Sequence, residues 1–245
     1  MPSSNNAMKN NVIALVTQIN DVKELNNLLK DASDFAGTLS TTFELGKNVY
    51  LFYKRKNFEA FTIELFKKLH SNESDANIDS EQLNKYFNNS TNLEHMSQII
   101  DTSLHSHSIK CSAILGHYAG GLLSQRILLE YKDTIVVNAL KIMNDRDLNN
   151  FIKLFKFVKS RPDLMEKHNK QQLRTHDIQT DLAELNIPIF ELELTIEKLK
   201  SVQGIGYDIG GWGSVGNAWG TFKFNENSDY LFKLISKFED IVCLP

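Results

Sequence analysis

The 245-residue sequence predicts a mainly α protein with one β-hairpin near its C-terminus. Apolar residues recur at three- and four-residue steps along most of the chain, which is the period of one helix face. Phenylalanine is plentiful, at 15 residues, and proline is scarce, at 4, as in long helices that enclose an aromatic core. Strand-like alternation occurs on the two sides of a glycine-rich run from 210 to 220, which predicts the hairpin.

The first half of the chain predicts an irregular helical bundle. Residues 1–11 are polar and predict a disordered N-terminus, and residues 12–144 carry the helices of the bundle. Their apolar stripes span 12–29, 39–52, 58–69, 93–104, 109–123 and 136–143. The stripe at 109–123 contains Gly116 and Gly120, and small residues allow helices to approach closely. We therefore expect this helix to be central, in a bundle without a β-hairpin.

Helix starts are predicted at side chains that can accept a hydrogen bond from the first turn. Thr91, Asp133 and Asp145 are the expected caps of three successive helices, and Ser228 is expected to start the last one. Gly204 is expected to end a helix in the left-handed conformation that glycine adopts easily.

From residue 145 onward the pattern predicts a compact series of short elements. A helix that begins at Asp145 is followed by a polar stretch to residue 175 and a short helix over 177–185. Asn186-Ile187-Pro188 is a turn, and the next helix carries the apolar side chains Phe190, Leu194, Ile196 and Leu199. Residues 205–209 and 221–224 alternate as strands do and form the hairpin, and a final helix follows.

This order of elements resembles the winged-helix variant of the helix-turn-helix. The segment DLAELNIPIFELELTIEKLKSVQGI is similar to the second and third helices of that family, with SVQGI leading into the wing. The resemblance covers about residues 145–243 and implies a winged-helix-like domain over 145–245. The N-terminal half resembles uncharacterised bacterial helical proteins, and this resemblance implies no particular activity.

Winged helices often bind DNA, but the third helix of this unit does not have the residues for it. A DNA-reading helix needs Arg, Lys, Asn or Gln near its start, and this one opens with Phe190 and Glu191. From 176 to 245 there are 11 acidic and five basic residues, so this region would repel a duplex. We therefore expect protein–protein contact or self-association, with Trp212 and Trp219 near the wing tip as candidate contacts. Packing beneath the hairpin is the alternative for both tryptophans.

A basic stretch lies just before the acidic region. Residues 153–174 contain seven basic and two acidic side chains, a balance of +5. The alternative function is therefore a nucleic-acid-binding regulator in which Lys167, Lys170 and Arg174 contact phosphates. The plainer interpretation is a solvated helix face and loop.

Other motifs in the sequence do not point to enzymatic chemistry. Gly211 to Gly216 matches G-x-G-x-x-G, but a strand follows it where a nucleotide site requires a helix. His107 and Cys111 would share a helix face, as two metal ligands do, yet no paired ligand motif accompanies the region from His95 to His117. Glu130 and Lys132 form the E-x-K of some nucleases, which requires a strand pair. We expect a non-enzymatic protein without cofactor or metal.

The composition places the chain in the cytoplasm. Cys111 and Cys243 are the only cysteines and make no disulfide framework. The polar N-terminus lacks the apolar run of a signal peptide, and no stretch predicts a membrane span. The predicted function is a protein-interaction or regulatory module, and the family resemblance suggests a bacterial regulatory or defence assembly as its context.

Overall fold

The computed structural model describes residues 40–69, 88–125, 130–167, 172–206 and 220–238. Within these ranges the chain is mostly helical with one short antiparallel sheet, which confirms the mainly α class. The predictions for a disordered segment over 1–11 and for a helix over 12–29 lie outside the described residues. No helix in the described part of the chain is both long and apolar enough to cross a membrane.

The N-terminal half is built from α1 (Ser40–Leu69), α2 (Ser90–His105), α3 (Ile109–Gln125) and α4 (Tyr131–Ile142). The sequence predicts two helices where α1 is a single helix of 30 residues, so that prediction is wrong. The basic run from Lys54 to Lys56 continues the helix, because lysine and arginine are good helix formers. Helix α3 packs against α1, α2 and α4, so its central position is confirmed.

The C-terminal half contains α5 (Asp145–Ser160), α6 (Pro162–Lys167), β1 (Leu173–Arg174), α7 (Gln179–Leu182), α8 (Ile189–Ser201), β2 (Thr221–Phe222) and α9 (Glu226–Ile235). A 3-10 turn, Ala183–Leu185, extends α7, and a second one, Ser236–Phe238, follows α9. The predicted short helix over 177–185 is thus present as α7 and its turn. The turn before α8 contains Asn186 at φ 52°, a left-handed conformation that asparagine tolerates.

The strands pair in a way that the sequence predicts only in part. Gly206 and Lys223 exchange two backbone hydrogen bonds of 2.9 and 2.8 Å, so the two predicted hairpin segments do meet at that point. The rest of the predicted hairpin, 207–219, lies outside the described residues. Strand β2 also pairs with β1, with Leu173 opposite Phe222, and β1 was not predicted. The segment 221–223 therefore lies between β1 and Gly206.

Four helix starts differ from their predicted residues by one to three positions. Asn89, Glu130 and Asn144 precede the helices that were assigned to Thr91, Asp133 and Asp145, and Asn225 precedes the one assigned to Ser228. Asp133 and Ser228 instead occupy the third helical position, where their side chains accept from the backbone of the cap residue. The prediction for Gly204 is also wrong, because the left-handed residue after α8 is Gln203, at φ 61°.

One hydrophobic core joins the two halves of the chain. It runs without interruption from Phe61 in α1 to Phe238 after α9. In its C-terminal part the ring of Phe155 stacks on Phe232, with centroids 4.1 Å apart, and lies 4.8 Å from Phe224. The C-terminal elements are therefore held by the same core as the bundle.

Candidate functional site

Helix α8, which corresponds to the third helix of the predicted unit, has a polar side that faces α5. Asp147 of α5 is buried, and its carboxylate accepts hydrogen bonds from the Thr195 hydroxyl at 2.9 Å and from the Lys198 ammonium at 2.6 Å. Asn150 donates to the same threonine hydroxyl at 3.2 Å. The Lys198 ammonium is therefore already paired with a buried carboxylate of the fold.

Further polar side chains of α8 hold the strands in place. The Thr175 hydroxyl donates to Glu193 at 2.6 Å, and the backbone N–H of Gly220 donates to Glu197 at 2.9 Å. Lys200 is buried, and its ammonium donates to the same Glu197 carboxylate at 2.7 Å. Lys198 thus holds α8 against α5, and Lys200 pairs within α8 with the carboxylate that also accepts from Gly220.

The outer side of α8 is apolar. Phe190 is 65% exposed and Leu194, one turn later, is 37% exposed. The sequence pattern grouped both with Ile196 and Leu199 as the apolar side chains of one amphipathic helix, but only Ile196 and Leu199 are buried. The core side of the helix consists of Leu192, Ile196 and Leu199, which lie opposite Phe190 and Leu194. We call Phe190 and Leu194 the α8 outer face.

The surroundings of this face carry negative charge. Residues 176–206 contain six acidic side chains, at 177, 181, 184, 191, 193 and 197, and two basic ones, at 198 and 200. Both basic side chains are engaged in the internal contacts described above. Two of the six carboxylates are paired with cations from α5 and its end, Glu191 with Arg146 at 3.4 Å and Asp181 with Arg161 at 3.1 Å. The remaining excess of acidic residues beside an exposed apolar pair suits a protein partner better than nucleic acid.

Most of the contact residues proposed from sequence cannot be placed. Trp212, Trp219 and Lys170 lie outside the described residues, as do the glycines of the G-x-G-x-x-G motif. Lys167 is the last residue of α6, and the structure does not describe its side chain. Arg174 lies in β1 and is exposed.

The basic stretch from 153 to 174 is partly neutralised by neighbouring carboxylates. The Lys159 ammonium lies 2.9 Å from Asp229 of α9, and the Arg161 guanidinium lies 3.1 Å from Asp181 of α7. Both pairs link α5 or its end to another helix, which gives these cations a structural role. Lys153 remains exposed on the surface of α5.

The histidine and cysteine region does not assemble into a metal centre. Helix α3 begins at Ile109, so His107 precedes it and does not share a helix face with Cys111, contrary to the prediction. Cys111 is buried, its thiol donates to the Met143 carbonyl at 3.6 Å, and burial raises the pKa of this thiol to about 12. Among the described side chains, no group of three or more His, Cys, Asp or Glu residues could hold a metal ion.

The E-x-K sequence lies on a helix and not on a strand. Glu130 is the residue before α4, Lys132 is in its first turn, and their charged groups form an ion pair of 2.7 Å. This geometry lacks the strand pair that the nuclease interpretation requires.

Comparisons with protein-family models, with curated proteins and with solved structures found no match.

Proposed function

We propose that residues 145–245 form a winged-helix-type module that acts in the cytoplasm through protein–protein contact, without enzymatic chemistry, in a bacterial regulatory or defence assembly. The order of elements supports the winged-helix assignment: α5, β1, α7, α8, two paired segments and α9 follow one another. The pairing supports it as well, because the segment 221–223 lies between β1 and Gly206, as the last strand of a wing sheet does.

The observation that carries the proposal is the orientation of α8. A helix that reads DNA presents Arg, Lys, Asn or Gln to the base edges. This helix turns Lys198 and Lys200 into internal contacts and leaves Phe190 and Leu194 exposed. Exposed aromatic side chains are frequent anchors of protein interfaces, because they bury a large apolar area in a pocket of the partner.

The residues of the α8 outer face indicate what kind of partner surface would bind them. The partner surface needs an apolar pocket that accepts the Phe190 ring and an adjacent shallow contact for Leu194. Lysine or arginine side chains around that pocket would complement the excess of acidic residues beside this face and increase the association rate. Salt should therefore slow association more than it accelerates dissociation.

A photocrosslinking experiment tests the proposal in living cells. The photoreactive residue p-benzoylphenylalanine is placed at position 190, and, as a control, at Leu93, an exposed leucine of α2. We expect a discrete crosslinked partner from position 190 and none from position 93. The absence of a crosslinked product at position 190 would contradict the proposal.

The identified partner is then measured with purified proteins. Leu194→Ser and Leu93→Ser remove side chains of the same type with similar exposure, 37% and 40%. We expect Phe190→Ser and Leu194→Ser to weaken binding by at least about tenfold, as for anchors of an interface, and Leu93→Ser to change it less than about twofold. Equal affinities of all three variants would place the interface elsewhere.

Nucleic-acid binding through the basic stretch is the second candidate, and the exposed side chains of Lys153 and Arg174 favour it. The test is fluorescence anisotropy of a labelled DNA duplex at low and at physiological salt. Binding that survives physiological salt and is lost when Lys167, Lys170 and Arg174 are changed to Gln would replace the protein-contact proposal. We expect no such binding.

A further inference from the structure

A groove lined by lysines lies between the two halves of the chain, away from the α8 outer face. Its walls come from the end of α1, from α3, from the start of α4 and from α9 with the turn that follows it. We call it the lysine groove, after Lys68, Lys132, Lys233 and Lys237. Its volume is about 350 Å³, which is within the range of small-molecule sites.

The floor of the lysine groove is a buried carboxylate with its hydrogen-bond donors. Asp133 accepts from the Tyr118 hydroxyl at 2.5 Å, from the Glu130 backbone N–H at 2.6 Å and, more weakly, from the Tyr230 hydroxyl at 3.4 Å. Burial, followed by the hydrogen bond to Asp133, raises the pKa of Tyr118, and burial with the nearby Asp133 charge raises that of Tyr230. Both phenols therefore remain protonated donors.

The described residues that line the groove include more lysines than carboxylates. They are four lysines and the two carboxylates of Glu130 and Asp133. Glu130 is already paired with Lys132 at 2.7 Å, and Asp133 is covered by the donors of the floor. Lys233 and Lys237 are exposed, and neither forms an ion pair with the described residues.

Lysines from three separate parts of the chain line one concave surface, and the exposed Lys233 and Lys237 contribute charges that are not paired with a described residue. Positive charge gathered in a cleft attracts anions. Lysine binds phosphate as a flexible point charge, so several lysines can follow a chain of phosphates. The exposed part of the Tyr230 ring, over which the Lys132 ammonium lies at 5.4 Å, adds an aromatic wall.

We infer that the lysine groove binds a small soluble anion that carries two or more linked phosphate groups. Lys233 and Lys237 bind the phosphate oxygens, with Lys68 and Lys132 beside them, and the Tyr230 hydroxyl can exchange its 3.4 Å hydrogen bond to Asp133 for one to the ligand. This site shares no residue with the α8 outer face. Its test can therefore fail while the proposed function holds, and the reverse is also true.

Isothermal titration calorimetry of the full chain at low salt tests the inference with inorganic triphosphate, ATP and sulfate as probes. We expect triphosphate to bind at least about tenfold more tightly than sulfate, because more ammonium groups are engaged at once. Tighter binding of ATP than of triphosphate would identify a nucleotide as the ligand, with its base on Tyr230. Equal binding would identify the phosphate chain alone.

Charge-matched variants separate a specific site from general attraction. Lys233→Gln with Lys237→Gln should lower the affinity for triphosphate at least about tenfold, and the corresponding arginine pair should keep it within about threefold. Lys153→Gln with Lys156→Gln removes the same charge from the exposed side of α5 and should change affinity less than about twofold.

Two outcomes would overturn the inference. One is the absence of measurable triphosphate binding by the unaltered protein at millimolar concentration and low salt. The other is an equal loss of affinity in the α5 control pair, which would show attraction by net charge alone. All four altered side chains are exposed, and circular dichroism with a melting curve confirms that each variant is folded.

Discussion

Two glycines five residues apart on α3 offer a sharp test of how closely this helix approaches α1. A Cβ atom added at Gly116 would lie 2.8 Å from the carbonyl carbon of Phe61 and 2.9 Å from its Cα. These are backbone atoms and cannot rotate away, so α1 would have to move. A Cβ added at Gly121 meets no atom within 4 Å. The same substitution should therefore have opposite effects at the two positions.

The magnitudes follow from two opposing contributions. Replacing glycine by alanine within a helix stabilises the fold by about 0.5–1 kcal/mol when space is available. Overpacking costs about 1–3 kcal/mol, and at position 116 the displacement would pass to Phe61 and Leu65 in the core. We expect Gly116→Ala to lower the free energy of unfolding by about 2 kcal/mol and Gly121→Ala to raise it by about 0.5–1 kcal/mol.

Urea denaturation and calorimetry measure both changes. In a chain of this length, 1 kcal/mol corresponds to about 2–4 °C in Tm, so Gly116→Ala should melt about 4–8 °C lower and Gly121→Ala a few degrees higher. If Gly116→Ala is as stable as the unaltered protein, the close contact between α1 and α3 is wrong. If Gly121→Ala is strongly destabilised, the open surface next to it is wrong.

Three further substitutions test buried polar groups. Asp147→Ala leaves the Lys198 ammonium and the Thr195 hydroxyl without their acceptor. This substitution should lower the free energy of unfolding, measured by urea denaturation, by about 2–3 kcal/mol. An unchanged free energy of unfolding would contradict the internal role of the polar side of α8. Tyr118→Phe removes the strongest donor to Asp133 and should cost about 1.5–3 kcal/mol, measured in the same way. Burial raises the pKa of the Cys111 thiol from its ordinary value of 9.0 to about 12 in the folded chain. As pH rises from about 9 to 12, the unfolded chain loses this proton and the folded chain keeps it, so the free energy of unfolding falls. The free energy of unfolding should therefore fall by about 2 kcal/mol more between pH 8 and 10.5 than it does in Cys111→Ala, and parallel profiles would refute this.

The helices could be predicted because the spacing of apolar residues is a local property. α2, α3, α5 and α8 begin and end close to the predicted residues. Strand β1 could not be predicted in this way. It has two residues, lies in a polar stretch and is a strand only because β2, far along the chain, pairs with it. The continuity of α1 could not be read from its apolar stripes either, because the stripes over 39–52 and 58–69 are separated by the charged run from Lys54 to Lys56, which is itself helical.

The surfaces were harder to predict than the elements. Helix α8 has apolar residues on two opposite sides, and periodicity alone does not show which side meets the core. In the folded chain the side with Leu192, Ile196 and Leu199 meets the core, and Thr195 next to it donates to Asp147. The lysine groove could not be predicted at all, because its lysines come from residues 68, 132, 233 and 237 and meet only in the folded chain.

Asp147 has a consequence for how the protein opens. Its carboxylate accepts from the backbone N–H of Asn144 at 2.9 Å, which closes the first turn of its own helix, and from Thr195 and Lys198 of α8. The first turn of a helix is normally where fraying begins. Here that turn cannot fray without releasing a helix about 50 residues further along the chain. Hydrogen exchange of the amides at the start of α5 should therefore report the detachment of α8, because the first turn of α5 and the attachment of α8 share one carboxylate.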